Sequence, residues 1–210
     1  NISNKSNLKI ELVIVDDGSN DGTKNLIDTW KKDNIFSINY FFQQNAGRSS
    51  ALRKAIILAK MDYIMIMDDD CYFLSNFISS IIRIKINIDT DKNAAGYAFL
   101  RNNENGEVIG NLFKKNYLKT DLISVRSEYK KTGDFSEITK SKILKENLYE
   151  IYKGEKRMPT SVIWLNISKK NYYYYFINEA NRVSVYLDEG ISKNLRIHKI
   201  YSPNSTLYYF

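Results

Sequence analysis

The stretch DYIMIMDDDC, residues Asp62–Cys71, runs from alternating apolar residues directly into three aspartates, Asp68, Asp69 and Asp70. Such an apolar run predicts a buried β-strand. Neighbouring carboxylates repel one another and reduce stability unless a cation lies between them. A strand that ends in this way indicates a cation site at its carboxyl end, and the alternative is an acidic surface turn.

Strand and helix patterns alternate on the N-terminal side of this stretch. Strands are predicted at 10–15, 38–43 and 62–67, and helices at 23–32 and 49–60. This order predicts a parallel sheet with right-handed crossovers, whose ligands bind at the carboxyl ends of the strands. Asp16 and Asp17 follow the first of these strands, so both acidic groups are expected at such ends.

The remaining pattern is mixed rather than purely parallel. The segments 96–102 and 107–113 flank an Asn-Gly pair and predict an antiparallel hairpin. Helices are predicted at 76–86, at 136–152 and from Pro159 past Trp164, and strands at 172–178 and 182–187. We interpret Trp164 and alternate rings of the tyrosine run at 172–175 as core residues. The sequence predicts one α/β domain over residues 1–210.

Composition limits the chemistry that this chain can perform. It has 210 residues, 43% of them hydrophobic, with one cysteine and one histidine. A single cysteine, Cys71, excludes an internal disulfide, and a single histidine, His198, excludes histidine clusters and most Ser-His or Cys-His schemes. We interpret Cys71 as a packing residue and His198 as solvated, with metal ligation as the alternative for His198. Catalysis would depend mainly on carboxylates, hydroxyls and cations.

The formal charge of +7 suits nucleic acid, an anionic membrane face or phosphorylated small molecules. The sequence contains no RNA-binding signature or metal-finger spacing, so we expect no nucleic acid partner. It also contains no apolar run long enough to span a bilayer and no signal-peptide core. We therefore expect a cytoplasmic protein with possible peripheral contact with the inner face of the membrane.

Two further patterns suit a phosphorylated ligand. In QQNAGRSSALRKA, Arg48, Arg53 and Lys54 lie in or near the first turns of a helix, where backbone amides already favour anions. The alternative is a capped helix with an exposed cationic face. Asp68 and Asp70 form an Asp-x-Asp pair on one side of an extended backbone, which suits Mg²⁺ or Mn²⁺ completed by substrate phosphates. Ser19 and Asp21 are interpreted as helix-capping residues.

Together, VIVDDGSNDGT, QQNAGRSSALRKAI and DYIMIMDDDC resemble the inverting nucleotide-sugar glycosyltransferases of family 2, which have the GT-A fold. The resemblance extends more loosely through GEKRMPTSVIWLN to bacterial capsule and exopolysaccharide enzymes. It implies that a nucleoside-diphosphate sugar, with a UDP-sugar favoured, donates to a glycan or lipid-linked acceptor. It also implies a nucleotide-sugar-binding half at about 1–90 and an acceptor-binding half at about 91–210.

The same resemblance implies roles for particular residues. Asp16 and Asp17 would bind the nucleotide base, Asp69 would face the ribose or sugar, and Arg48 would contact the base or a phosphate. Asp68 and Asp70 would hold Mn²⁺ or Mg²⁺ against the diphosphate. Arg53 stands where relatives often have Asn, so its role is left open.

Two features depart from the family pattern. Relatives carry an acid near the start of a later helix, where this chain has Met158-Pro159-Thr160-Ser161. Glu155 is the nearest substitute for the catalytic base, with Asp134 and Glu137 as weaker candidates. Relatives also begin with a strand resembling SIIIPTYN, which has no counterpart here, so we expect a fragment of a longer chain or an unusual replacement segment.

Two other functions remain open. Nucleotidyl transfer would use similar carboxylates, but it usually needs a glycine-rich, lysine-bearing loop near the end of the first strand. A catalytically impaired or truncated GT-A-like domain could instead act as a nucleotide-binding, metal-binding or interaction module.

Overall fold

The computed structural model describes residues 8–33, 37–185 and 199–209. His198 and the last two residues of the strand predicted at 182–187 lie outside these ranges. Contacts between Cα atoms divide the chain into two compact units. The first contains Asn1–Asp62, Leu148–Ile163 and Ile191–Phe210, and the second contains Tyr63–Asn147 and Trp164–Gly190.

The first unit is built on a parallel pair of strands. Its elements are β1 (Glu11–Asp16), α1 (Thr23–Lys32), β2 (Ser37–Phe42), α2 (Arg48–Leu58) and α7 (Pro203–Tyr209). The register of β1 and β2 runs from Glu11 opposite Ser37 to Asp16 opposite Phe42. The predicted strand–helix–strand–helix order and the parallel pairing are confirmed, with each boundary within two residues of the prediction.

The second unit contains a six-stranded sheet. Its elements are β3 (Tyr63–Met65), β4 (Cys71–Phe73), α3 (Phe77–Ile88), β5 (Ala94–Asn102), β6 (Tyr117–Thr120), α4 (Leu122–Ser127), β7 (Ser136–Lys140), α5 (Ser141–Lys145), α6 (Ser161–Lys169, in this unit from Trp164) and β8 (Tyr173–Ser184). The strand order is β3-β7-β5-β8-β4, and β6 also pairs with β8. Among the strand pairs that the structure describes in this sheet, only β5–β8 is parallel.

Several sequence-based expectations are wrong in this unit. The strand predicted at 62–67 was expected to extend the parallel sheet, but β3 pairs antiparallel with β7. β7 itself occupies the first part of the helix predicted at 136–152, because Ser136, Ile138 and Thr139 are buried between neighbouring strands. Tertiary pairing here outweighs the helical preference of a lysine-rich segment.

The predicted hairpin forms only in part. A turn at Asn103–Gly106 is closed by the Gly106 amide, which donates to the Asn103 carbonyl at 3.0 Å. Beyond it, one isolated bridge joins Asn102 and Val108, and β6 pairs with β8 instead. The two strands predicted at 172–178 and 182–187 are one strand, β8, with register shifts along its pairing with β5.

The alternation of side chains along β8 builds both faces of the sheet. Tyr174 and Phe176 are fully buried on one face, where Trp164 meets Tyr174 edge to face at 6.1 Å. Tyr173 and Tyr175 point to the other face and pack against the core around Ile88, Ala94, Tyr97, Phe99 and Ile138. The core interpretation of Trp164 and of alternate tyrosine rings is therefore confirmed.

Asp91 anchors the turn that leads into β5. Its carboxylate accepts hydrogen bonds from the Tyr173 hydroxyl at 2.5 Å and the Tyr175 hydroxyl at 2.9 Å. The Lys119 ammonium lies 3.5 Å from the same carboxylate. The Tyr173 hydrogen bond is the largest cause that lowers the pKa of Asp91, to about 2. The ionised form of Asp91 is thus favoured in the folded state.

Asp91→Asn should lower the free energy of unfolding at pH 7 by about 1–2 kcal/mol, since the charged acceptor of the Tyr173 and Tyr175 hydrogen bonds is replaced by a neutral amide. Because folding lowers the pKa of Asp91, its contribution is present above the unfolded value near 3.8 and is lost as pH falls towards 2. Urea unfolding at pH 7 and pH 3.5 should show the difference from wild type shrinking. The exposed Asp62→Asn is the matched control, and a difference that grows at low pH would contradict the assignment.

Candidate active site

The carboxyl end of β1 is fixed by Asp16. This buried carboxylate accepts hydrogen bonds from the Ser19 backbone amide at 2.7 Å and the Tyr40 hydroxyl at 2.6 Å. Burial acts to raise the pKa of Asp16, but the hydrogen bonds from Tyr40 and Ser19 outweigh it and lower the pKa. The same contact raises the pKa of Tyr40 to about 12. Asp16 therefore holds the turn after β1, and its contact with a nucleotide stays a prediction.

Asp17 organises the loop that precedes α2. Its Oδ1 accepts hydrogen bonds from the Gln43 side-chain amide at 2.7 Å and the Ala46 backbone amide at 2.9 Å. Its Oδ2 accepts one from the Gly47 backbone amide at 2.8 Å. The carboxylate thus ties the end of β1 to the Asn45–Gly47 turn, which the sequence did not reveal because these donors lie 26 to 30 residues away.

The start of α1 agrees with the sequence-based interpretation only in part, because Asp21 contacts the first turn but neither Asp21 nor Ser19 is the N-cap residue. The N-cap residue is Gly22, with φ of 88°. Asp21 accepts hydrogen bonds from the backbone amide and hydroxyl of Thr23, at 3.1 and 2.6 Å. The backbone amide of Ser19 donates a hydrogen bond to Asp16, and Ser19 does not cap the helix.

The start of α2 is clamped by a second segment of the first unit, residues 156–160. The Met158 amide donates to the Ser49 hydroxyl at 2.6 Å, and the Ser49 hydroxyl donates to the Met158 carbonyl at 3.1 Å. Arg48 Nη1 donates to the Thr160 hydroxyl at 3.0 Å. Arg53 Nε donates to the Tyr149 carbonyl at 3.3 Å, which gives Arg53 a structural contact.

Glu155 lies just before this segment and holds the start of α7. Its carboxylate accepts hydrogen bonds at 2.8 Å from the backbone and side-chain amides of Asn204 and from the backbone amide of Ser205. Burial acts to raise the pKa of Glu155, but the hydrogen bonds from Ser205 and Asn204 lower it. Of the weaker candidates, Asp134 is exposed, and Glu137 lies in β7 with its side chain 11% exposed.

The aspartate triplet belongs to the second unit and forms a turn between β3 and β4. The Cys71 amide donates to the Asp68 carbonyl at 3.3 Å, with Asp68 and Asp70 half-buried and Asp69 exposed. The expected extended backbone is therefore wrong, because the chain reverses here to pair β4 with β8. Burial raises the pKa of the Cys71 thiol, whose sulfur lies 3.3 Å from Asp70 Oδ1, which fits a packing role.

A buried cation supports the segment before the triplet. Arg182 is 1% exposed in β8, and its Nη1 donates to the Ile66 carbonyl at 2.8 Å. Burial lowers the pKa of Arg182, as does nearby Arg101, whereas Glu137 and Asp68 act in the opposite direction. The sequence carries a signal for this role, because Arg182 lies within an apolar strand pattern. An arginine is rarely buried in such a strand unless it has a partner.

The donor set of the triplet fits a hard divalent cation in part. Among the described residues, no group of three or more His, Cys, Asp or Glu side chains is arranged to hold a metal ion. Asp68 and Asp70 supply two carboxylates, and a cation such as Mg²⁺ usually takes one or two protein carboxylates together with water and substrate phosphates. The residues present thus suit a cation that arrives with its substrate.

Solved structures define the class of fold. Staphylococcus aureus TarS 1-349 in complex with UDP superposes with a TM-score of 0.64, covering 94% of this chain and 57% of that chain at 16% identity. GalNAc-T7 with UDP, GalNAc and Mn²⁺ gives a TM-score of 0.56, covering 86% of this chain and 38% of that chain at 15% identity. The chain is an α/β protein of the GT-A fold, as the sequence predicted.

The chain belongs to glycosyl transferase family 2, whose pattern it matches over residues 1–138. It is 28% identical over 192 residues to the GalNAc(5)-diNAcBac-PP-undecaprenol beta-1,3-glucosyltransferase of Campylobacter jejuni, covering 87% of this chain and 57% of the relative. It is 38% identical over 77 residues to the poly-beta-1,6-N-acetyl-D-glucosamine synthase of Staphylococcus aureus, covering 33% of this chain and 18% of the relative. The chain thus spans little more than half of the first relative and a smaller part of the second.

Gly47→Ala should destabilise the first unit more than Gly22→Ala. Both glycines have positive φ, but Gly22 lies in the left-handed helical region with ψ of 4°, whereas Gly47, with φ of 93° and ψ of 153°, lies in a region that is essentially restricted to glycine, so Gly47→Ala also carries the larger backbone strain. At Gly47 a Cβ would also lie 2.3 Å from the Lys156 carbonyl oxygen, whereas at Gly22 nothing lies within 4 Å. Urea unfolding should show a loss of about 1 kcal/mol for Gly22→Ala and about 2 kcal/mol more for Gly47→Ala. Equal losses would contradict both the contact with Lys156 and the backbone conformation of Gly47.

Proposed function

We propose that this domain transfers a sugar from a nucleoside-diphosphate sugar, with a UDP-sugar favoured, to a hydroxyl of a glycan or lipid-linked acceptor, with inversion. The observation that carries the proposal is the family match over residues 1–138, which contains Asp16, Asp17, Arg48 and the aspartate triplet. The UDP complex of TarS and the undecaprenol-linked substrate in the name of the Campylobacter relative support it.

The cellular setting belongs to the same proposal. No helix among the described residues is long and apolar enough to cross a membrane. A role in surface polysaccharide synthesis, a cytoplasmic location and peripheral contact between the basic surface and the inner membrane face are proposed from the names of the relatives and the formal charge of +7.

The reaction would be a single in-line displacement. A lone pair of the acceptor hydroxyl forms the new bond to the anomeric carbon as the bond from that carbon to the diphosphate oxygen breaks, which inverts configuration. The hydroxyl proton passes to a carboxylate, and the nucleoside diphosphate leaves with the electron pair of the broken bond. Positive charge near the departing oxygens lowers the barrier.

The contacts of Asp17 suit recognition of a nucleotide base. A carboxylate offers about four lone-pair sites for hydrogen bonds. The amides of Gln43, Ala46 and Gly47 occupy two on Oδ1 and one on Oδ2. One site on Oδ2 is left for a donor such as the ring N–H of uracil, and the loop is already ordered to present it.

Asp68 and Asp70 are the proposed ligands of Mn²⁺ or Mg²⁺, and Asp69 is proposed to face the ribose or sugar. When bound, the cation would supply positive charge to the leaving diphosphate. Arg182 contributes by holding the Ile66 carbonyl, which fixes the chain two residues before Asp68.

Calorimetric titration with UDP, with and without Mn²⁺, tests the donor site. Wild type should bind UDP at least about tenfold more tightly with Mn²⁺, and Asp70→Ala should remove this difference because one of two carboxylate ligands is lost. The exposed Asp62→Ala should behave like wild type. UDP affinity that ignores Mn²⁺ would exclude the metal site, and no UDP binding at all would exclude the donor proposal.

Glu155 is proposed as the general base, although its contacts also give it an anchoring role for α7. Glu155→Gln replaces an acceptor oxygen with a donor facing the Asn204 and Ser205 amides, so it should lower the free energy of unfolding by about 1–2 kcal/mol in either role. If Glu155 is the base, release of UDP from UDP-GlcNAc should also fall by about 10² to 10⁴ while UDP affinity is kept.

An unchanged rate in folded Glu155→Gln would restrict Glu155 to anchoring. Glu150→Gln, which changes an exposed carboxylate in the same part of the first unit, is the matched control. If wild type binds UDP but transfers no sugar to any acceptor, the alternative hypothesis holds, in which the domain is a catalytically impaired binding module.

A further inference from the structure

The segment 156–160 brings cations to the start of α2. Its backbone is fixed there by the two hydrogen bonds between Ser49 and Met158 and by the contact of Arg48 with Thr160. All of these residues belong to the first unit. The packing of the buried Met158 against α2 therefore sets the positions of Lys156, which is exposed, and Arg157, which is half-buried.

The three cations of this region differ in their contacts. Lys156 Nζ donates to the Asn45 side-chain oxygen at 2.6 Å, and Arg48 donates to Thr160. Arg157 is half-buried and makes no hydrogen bond or ion pair with any residue that the structure describes. Burial lowers the pKa of Arg157, and the proximity of Arg48 lowers it further. Two guanidinium groups thus repel each other where one of them is partly removed from water.

A bound anion would offset the repulsion between the guanidinium groups of Arg48 and Arg157. Guanidinium groups bind phosphate oxygens through paired N–H donors, and they are less strongly hydrated than ammonium groups. The start of the eleven-residue helix α2 adds partial positive charge at Arg48. Three cations and a helix start suit a doubly or triply charged diphosphate better than a single carboxylate.

We propose that Arg157, together with Arg48 and Lys156, binds the phosphate groups of a diphosphate ester. The proposal rests on the proposed glycosyl transfer, which supplies two such esters, the nucleotide donor and a prenyl-linked acceptor. Both present the same diphosphate chemistry to this cation cluster. Arg157 is the residue that distinguishes this site from the aspartate triplet, because it binds phosphate without a metal.

Calorimetric titration without divalent metal tests the site, with inorganic pyrophosphate, UDP and farnesyl diphosphate as probes. Arg157→Gln should weaken pyrophosphate binding by about tenfold, and Arg157→Lys should weaken it less because the charge is kept and the planar fork is lost. Lys153→Gln removes an exposed cation from the same stretch of chain and should bind like wild type. Urea midpoints establish that each variant is folded.

The two esters identify the source of the phosphate. A loss confined to UDP assigns the site to the donor, a loss confined to farnesyl diphosphate assigns it to the acceptor, and either outcome supports the proposal. Pyrophosphate affinity that is unchanged in folded Arg157→Gln, or lost equally in Lys153→Gln, overturns it. Metal-dependent UDP binding that persists in that case leaves the proposed function intact, so the two failures are distinguishable.

Discussion

The pairing of the buried backbone of β8 is the constraint on which the second unit depends. Buried N–H and C=O groups are costly when left without partners, so a twelve-residue strand with a buried end needs neighbours along both edges. β5 runs parallel along one edge, and β6 and β4 pair with successive parts of the other. The pairing of β4 forces the chain to turn at Asp68–Cys71, and this turn places the aspartate triplet.

The candidate carboxylates of the first unit and those of the second unit are stabilised in different ways. Asp16 and Asp17 are each held by hydrogen bonds from within the first unit, so their charges are compensated without any ligand. In the second unit, the buried Arg182 holds the segment that leads into the triplet through the Ile66 carbonyl. The first pair therefore holds a preorganised loop, whereas the cation proposed for the triplet would add positive charge to that of Arg182.

Arg157 and Glu155 show that neighbouring charged residues can serve unlike purposes. Glu155 is buried with its oxygens occupied by the start of α7, and it ties distant parts of the first unit together. Arg157, two residues later, is half-buried and has no partner within the described residues. In the sequence, Glu155 and Arg157 are two charged residues of the same short segment. Their surroundings in the folded chain distinguish the anchoring carboxylate from the guanidinium group that is proposed to bind a ligand.

The sequence by itself determined the strand–helix order of the first unit, the family and the positions of Asp16, Asp17, Arg48 and the triplet, because local periodicity and short motifs carry this information. The tertiary structure decided that Ser136–Lys140 is a strand, that the triplet is a turn and that Asp17 binds the Asn45–Gly47 loop. It also revealed Tyr40, Gln43, Arg157 and Arg182. These features depend on contacts between residues far apart in the chain, where strand pairing and burial override local preference.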